Sequence, residues 1–287
     1  MWPTIANQIS EATKTDFSVL NKQPLAGGDI NRAFRIDDGD TAFFVKLNDA
    51  AQIDKFRCEW TSLEHLAAAN TLQVPKPVCC GSTLSSSFLV LSYLSFHEGC
   101  EQAWYALGQQ LARLHQSQQQ PMYGWDEDNF LGLSVQPNAW HKKWSTFFAE
   151  QRIGWQLTIL ADKGIHFGDI GDIVTGIKLR LVHHQPSASL LHGDLWRGNV
   201  AFHDNQPVVF DPASYFGDRE IDIAMTELFG QFPHVFYQGY NTVWPLDPGY
   251  RQRREIYHLY HLLNHVSHFG EPYREQANSS VNRILSS

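Results

Sequence analysis

Apolar residues from about Phe34 to Leu94 come in short runs broken by polar ones: "AFRI", "TAFFVKL" and "SSFLVLSYL". Runs of this length predict β-strands. Between the second and third, Phe56, Leu63 and Leu66 recur at near-helical spacing, which predicts one helix over roughly Ala51 to Ala69. "VPKPV" ends it, because prolines at both positions favour extended backbone. From about Ala103 the period lengthens. "AWYALGQQLARLHQ", "WHKKWSTFFAEQRIGWQLTILADKG" and "REIYHLYHLLNHVSHFG" predict long helices, and the only clear strands in this region lie in "LLHGDLWRGNVAFHDNQPVVFDPASYFGDRE", Leu190 to Glu220. The pattern predicts an α+β chain: a small, mostly antiparallel β lobe at 1–91, a link at 92–96, and a larger, mostly helical lobe at 97–287 carrying a β-hairpin.

Composition narrows the class without naming a chemistry. The chain has 287 residues, 43% hydrophobic and 18% charged, and a formal charge of −8. It is long enough for sizeable cores. The acidic balance, with no basic stripe, argues against nucleic-acid partners and anionic membranes and suits a cationic one. No window reaches the apolar length needed to span a bilayer, and the first residues lack a signal-peptide pattern. Cys58, Cys79, Cys80 and Cys100 make neither a disulfide framework nor a zinc spacing. A cytoplasmic location is the expectation. The sequence does not set an oligomeric state.

The 190–220 stretch carries the chemistry. Val200–Phe202 and Val208–Phe210 read as paired strands with "HDNQP" as a five-residue turn. Antiparallel pairing brings Asn199, just before the first strand, near Asp211, just after the second. An amide oxygen and a carboxylate are hard ligands suited to Mg²⁺ carrying phosphates. Asp194 lies on the tight loop before them, where Gly193 and Gly198 permit sharp turns. A carboxylate to take the proton of an attacking hydroxyl, with an Asn and an Asp for the metal, is the parts list of phosphoryl transfer. Singly, such aspartates cap turns; as an ordered set they point to ATP and Mg²⁺.

"HGDLWRGN" followed by "FDPA" resembles the catalytic and metal-binding segments of protein-kinase-like phosphotransferases that act on small molecules. With Trp196, "GDREIDIAM" and "LLNHVSHFG", it is similar to the fructosamine kinase (ketosamine-3-kinase) family over nearly the whole chain. The resemblance implies a protein-kinase-like bilobal fold, with residues 1–91 as nucleotide-binding lobe, 92–96 as hinge and 97–287 as catalytic and acceptor-binding lobe. A turn over the phosphates is then required, and "PLAGGDINRAFRI" offers Gly27 and Gly28, otherwise a plain hairpin turn. Lys46 in "FFVKL" is either an edge-strand gatekeeper or a phosphate contact, and the downstream metal site favours the contact. By resemblance Glu59 is its carboxylate partner, with Glu64 as fallback, and Ser92, Tyr93 and Leu94 form the adenine-binding hinge.

The acceptor side is less defined. Trp196 either stacks on a sugar-like face or packs in a core. His258, His261, His265 and His268 share one helical face, which suits metal, solvent or a pocket lining. The resemblance assigns Asn264, His265 and His268 to the acceptor pocket, and leaves Trp144, Phe147 and Phe148 to packing. Asp218 and Asp222 read as helix-start residues bracing the catalytic loop. The resemblance implies ATP-dependent phosphorylation of the sugar 3-hydroxyl of a ketoamine, a small molecule or a glycated protein lysine. The unstable product then sheds the amine, which amounts to deglycation. Two alternatives stand beside it: a kinase of another cationic alcohol, of aminoglycoside or choline type, and a nucleotide-binding module without catalysis.

Overall fold

The computed structural model describes residues 1–25 and 31–286. By internal contacts the chain divides into two units, Met1–Ala103 with Val200–Pro212, and Trp104–Asn199 with Ala213–Ser287. No helix among the described residues is long and apolar enough to cross a membrane.

The first unit is built on an antiparallel sheet of order β1-β2-β3-β5-β4, with β1 Asn21–Leu25, β2 Arg32–Asp37, β3 Ala42–Asp49, β4 Pro77–Ser82 and β5 Ser86–Ser92. Strand alternation sorts its side chains to two faces. Phe43, Val45, Leu47, Phe88 and Val90 share a core with Ile5 and Ile9 of α1 (Trp2–Thr13). Leu89 and Leu91 share another with Phe56 and Leu63 of α2 (Ile53–Ala68), joined by Phe44. Helix α1 was not foreseen, since its buried stripe is only Ile5, Ala6 and Ile9.

The hairpin pairs Val200–His203 with Gln206–Val209, placing Phe202 opposite Pro207 and His203 opposite Gln206. The expected five-residue turn is therefore two residues, Asp204 and Asn205, both at positive φ (49° and 60°). This is the conformation that asparagine and aspartate tolerate and that suits the twist of a tight hairpin. The hairpin, expected within residues 97–287, groups by its contacts with the first unit. Val209 N–H donates to the Gln73 carbonyl (3.0 Å), His97 N–H to that of Phe202 (2.8 Å), and Phe96 stacks on Phe210 at 5.3 Å.

The second unit is mostly helical. It contains α3 (Glu101–Ser117, whose first three residues count with the first unit), α4 (Trp144–Phe147), α5 (Trp155–Asp162), α6 (Ile170–Leu181), α7 (Glu220–Leu228), α8 (His234–Val243), α9 (Tyr250–Phe269) and α10 (Glu271–Ser286). A π-helical stretch, Phe148–Gly154, links α4 to α5, so the long helix foreseen over "WHKKWSTFFAEQRIGWQLTILADKG" is a helical run with a wide turn inside. Trp144, Phe147 and Phe148 are fully buried packing residues, as expected. More strands occur here than the pattern suggested: a hairpin Asn129–Leu131 with Ser134–Gln136, and a three-stranded sheet of Gln119–Gln120, Ala188–Leu190 and Phe216–Gly217. At two or three residues each they are too short to show a period.

Candidate active site

In the first unit, Lys46 lies on the central strand, opposite Ala33 of β2 and Leu89 of β5. A gatekeeper role needs an edge, so that alternative falls away. Alternation turns Lys46 to the α2 face. There the buried stripe of Phe56, Leu63 and Leu66 has Glu59 three residues after Phe56 and four before Leu63, on the same side. Lys46 Nζ donates to Glu59 Oε1 at 2.7 Å, and also to Asp211 Oδ1. Glu64 is exposed. The stripe alone therefore picks Glu59.

This triad is electrostatically tight. Burial by itself would depress the lysine pKa, but the Asp211 and Glu59 carboxylates outweigh it and hold Lys46 protonated well above its ordinary range. Burial pushes Glu59 up to about 7, with Lys46 pulling the other way. Asp211 sits at φ 57°. That is uncommon for a residue other than glycine, and more so before a proline, which disfavours helical backbone in the preceding residue. Strain of this kind is kept where neighbours enforce it; here the ion pair to Lys46 is such a restraint.

Ser92 N–H donates to the Lys76 carbonyl at 2.8 Å and Ser92 Oγ accepts from Lys76 N–H, so that amide is committed within the sheet. Tyr93 lies under the Arg35 guanidinium at 5.1 Å, and Leu94 is half-buried. Gly27 and Gly28 lie outside the described residues.

In the second unit, the 191–199 loop is held from behind. Asp222, fully buried on α7, accepts the backbone N–H groups of His192 (2.7 Å) and Gly193 (2.8 Å), and meets His115 Nε2 at 3.1 Å. Burial would raise its pKa, yet the His115 hydrogen bond and the backbone amides keep it below the usual carboxylate value. Gly193 takes φ 85°, and a Cβ there would sit 2.0 Å from the Ala213 carbonyl oxygen. Only glycine fits. Asn199 closes the loop: its Nδ2 donates to the Asp194 carbonyl (2.9 Å) and to Asp194 Oδ2 (3.1 Å). Asp194 and Asn199, foreseen as separate roles, are thus in direct contact.

Asp218 binds His184 Nε2 (2.6 Å) and the Tyr257 hydroxyl. Asp222 braces the 191–199 loop as anticipated, whereas the hydrogen bonds of Asp218 go to His184, Tyr257 and Glu220 N–H. The bracing histidines were missed: His115, and His192, whose Nδ1 accepts from Asp194 N–H at 3.3 Å. His115 does extend the apolar stripe of α3 at Leu107, Leu111 and Leu114, a pattern that reads as core.

Trp196 is partly exposed, at 37%, and its ring covers Gly198, where a Cβ would meet it at 2.4 Å. This removes core packing as its role. Asn264 is buried and its Oδ1 accepts from Gln156 Nε2 at 3.3 Å. His265 packs against Phe229 at 4.1 Å and Tyr273 at 5.0 Å, and its Nδ1 lies 2.9 Å from the His261 carbonyl. His268 Nε2 accepts from Leu133 N–H (3.4 Å) and lies 3.3 Å from Ser134 Oγ. His261 is buried completely, so the four histidines form no solvated face.

The oxygen donors suit a hard divalent cation. Asp211 Oδ2 and Asn199 Oδ1 make no hydrogen bond among the described residues, their partner atoms being committed to Lys46 and Asp194. Carboxylate and amide oxygens with a free lone pair are Mg²⁺ ligands rather than ligands of softer metals.

Comparison with solved structures defines the class. A thermostable mutant of aminoglycoside phosphotransferase APH(4)-Ia, solved in a ternary complex with AMP-PNP and hygromycin B, matches with a TM-score of 0.62 at 16% identity, over 98% of this chain and 97% of that one. The fold is that of the kinase-like phosphotransferases, α+β. A candidate fructosamine-3-kinase from Haemophilus somnus 129PT is far nearer, with a TM-score of 0.95 and 38% identity over 99% and 98% of the two chains. The fructosamine kinase family model matches residues 1–287, and a probable ketoamine kinase of Vibrio vulnificus (strain CMCP6) is 49% identical over 100% of both chains. The chain belongs to the fructosamine kinase family.

Proposed function

We propose that the chain is an ATP-dependent ketoamine kinase that phosphorylates the sugar 3-hydroxyl of a ribulosamine or fructosamine adduct, leading to deglycation. The observation that carries this is the buried Lys46 between Glu59 and Asp211, which ties the strand lysine, the helix glutamate and the "FDPA" aspartate into one cluster. Neither turn capping nor packing calls for a lysine there. Family membership and relatives named as ketoamine kinases support the acceptor class.

In this reading Lys46 meets the nucleotide phosphates, held in place by Glu59, and Tyr93 and Leu94, with the carbonyl of Ser92, supply backbone groups to adenine. Gly27 and Gly28 are proposed as the phosphate turn. Asn199 Oδ1 and Asp211 Oδ2 would hold Mg²⁺, which when bound offsets phosphate charge. Connectivity supports the pairing, since Asn199 precedes the hairpin by one residue and Asp211 follows its last paired residue by two. Asp194 takes the proton of the acceptor hydroxyl as phosphorus is attacked. The Asn199 amide on Asp194 Oδ2 orients the carboxylate toward that role.

Trp196, partly exposed on the loop two residues after Asp194, offers an indole face to the sugar, with Asn264, His265 and His268 lining the acceptor pocket. The charge of −8 suits an amine-bearing acceptor, free or a glycated protein lysine. A cytoplasmic site of action belongs to the same proposal; no disulfide joins the described cysteines.

The test is a panel of ribulose- and fructose-derived lysine adducts, aminoglycosides and choline, followed by ADP release with and without Mg²⁺. Turnover of the ketoamines alone is expected. Turnover of the other alcohols alone would overturn the acceptor assignment, and no nucleotide turnover at all would overturn the kinase.

A further inference from the structure

We propose that Arg152 is a positioning residue for the Asp194 loop, acting through a directed relay of buried amides, Asn138 and then Asn129, onto the Ser214 carbonyl. The inference rests on the assignment of Asp194 as proton acceptor.

Arg152 lies in the π-helical turn, with 0% exposure. No carboxylate among the described residues comes within ion-pair distance of it, and its Nε makes no hydrogen bond. A buried guanidinium without a counter-ion is costly, and an apolar side chain of similar volume would fill the space more favourably. Its contacts are two backbone carbonyls (Pro137 and Gln151), the Asn138 side chain, and the face of Tyr215 at 4.0 Å.

The direction of the relay follows from what arginine can do. It has donors only. Arg152 Nη2 donates to Asn138 Oδ1 (2.7 Å), which fixes that amide with its oxygen toward the guanidinium. Asn138 Nδ2 then donates to Asn129 Oδ1 (2.9 Å), and Asn129 Nδ2 donates to the Ser214 carbonyl (2.8 Å). Gln136 runs alongside, donating to Asn129 Oδ1 (2.7 Å) and the Ala213 carbonyl (3.3 Å) while accepting from the Tyr260 hydroxyl (2.7 Å). All three amides are buried. Charge at one end orients every dipole between, and each bond strengthens the next.

The far end is the backbone that holds the loop. Ala213 N–H donates to the His192 carbonyl (2.9 Å) and Leu191 N–H to that of Tyr215 (3.0 Å), while Gly193 lies too close to the Ala213 carbonyl to admit a Cβ. Residues 213–215 are therefore the rail on which 191–193 rest, and Asp194 is the next residue. Asp222 grips 192 and 193 from one side. The Arg152 relay grips 213 and 214 from the other.

Asn138→Asp separates positioning from stability. An aspartate still accepts from Arg152, now as an ion pair, but cannot donate to Asn129 or to the Glu127 carbonyl that Asn138 Nδ2 also reaches (3.0 Å), so the relay is cut while the guanidinium stays compensated. The expected result, measured well below the variant's own melting transition, is a kcat reduced by about 10-fold to 100-fold, an unchanged KM for ATP, and faster amide hydrogen exchange at residues 191–194. Arg152→Met is expected to show the same kcat loss and exchange change. A kcat within twofold of wild type in Asn138→Asp would overturn the proposal, as would a kcat loss accompanied by faster exchange throughout the second unit rather than at 191–194 and 213–215. If the wild-type chain turns over no ketoamine, the functional reading fails on its own. The exchange measurement then decides the relay: faster exchange confined to 191–194 and 213–215 upholds it, and unchanged exchange refutes it.

Discussion

Acid should destabilise the second unit chiefly through His261, with smaller contributions from the partly buried His258 and His265, and removing His261 should remove most of the effect. His261 lies on α9 with 0% exposure and neither ring nitrogen hydrogen-bonded, its ring 5.1 Å from that of Tyr260. Burial, reinforced by His265 and His258 one turn to either side, lowers its pKa from 6.5 to about 3. The folded state thus binds the proton far more weakly than the unfolded chain. Stability contributed by the neutral ring is fully present above pH 6.5 and is lost as the pH falls from there toward 3. Between pH 7 and pH 5 the unfolded chain takes up the proton and the folded chain does not, which costs about 2 kcal/mol. His261→Leu keeps a similar volume and cannot titrate. Urea denaturation at pH 7, 6 and 5, read by tryptophan fluorescence, should show the wild type losing about 2 kcal/mol more than the variant over that interval. Parallel losses in the two proteins would refute the reasoning, because the acid sensitivity would then lie elsewhere.

Four further outcomes are expected. Asp194→Asn should lower kcat by about 10²-fold to 10⁴-fold with ATP affinity retained, in an ADP-release assay beside nucleotide titration; undiminished turnover would remove Asp194 as the base. Lys46→Met strands the buried Glu59 beside Asp211. It should destabilise the first unit by roughly 3 kcal/mol, the low end for a broken buried pair because Asp211 stays partly wet, and raise the KM for ATP; calorimetry and kinetics check the two effects. Gly193→Ala places a Cβ 2.0 Å from a carbonyl oxygen at φ 85°, so it should cost more than about 1 kcal/mol and lower kcat, whereas a wild-type melting curve would contradict the geometry. Asp222→Asn should cost about 1–3 kcal/mol at neutral pH. Because the Asp222 pKa is lowered in the folded state, its contribution is present above the usual carboxylate range and fades as the pH drops through the lowered value; the gap between variant and wild type should close in acid.

How much of the site was legible depended on whether a residue's role is local or cooperative. Lys46 stood out as a charge in an apolar strand, while Glu59 was preferred to Glu64 by family resemblance; the buried stripe of α2 supplies the physical reason. The hairpin was visible in its apolar strands, but not its turn, because Asp204 and Asn205 can enter left-handed backbone while His203 and Gln206 stay paired. Helices α6, α7, α8 and α10 were not delineated, and the strand pair Asn129–Leu131 with Ser134–Gln136 left no periodic signal. That last miss matters most, because the pair carries Asn129 and Gln136, and with them the polar network reaching the 213–214 backbone.

Polar residues in short strands read as loop, and a buried arginine inside "FFAEQRI" reads as a surface charge on a packing helix. What identifies them is burial without a counter-ion, a property no window of sequence displays. The same holds for Asp211. Its place after an apolar strand announced a ligand, yet its second partner, Lys46, lies 165 residues away in the chain. One oxygen is spent holding the lysine, and the other remains for a cation. Under the proposed function that division would let a single carboxylate fix the lysine's position and set the metal's, so a change at Asp211 should disturb nucleotide and metal binding together.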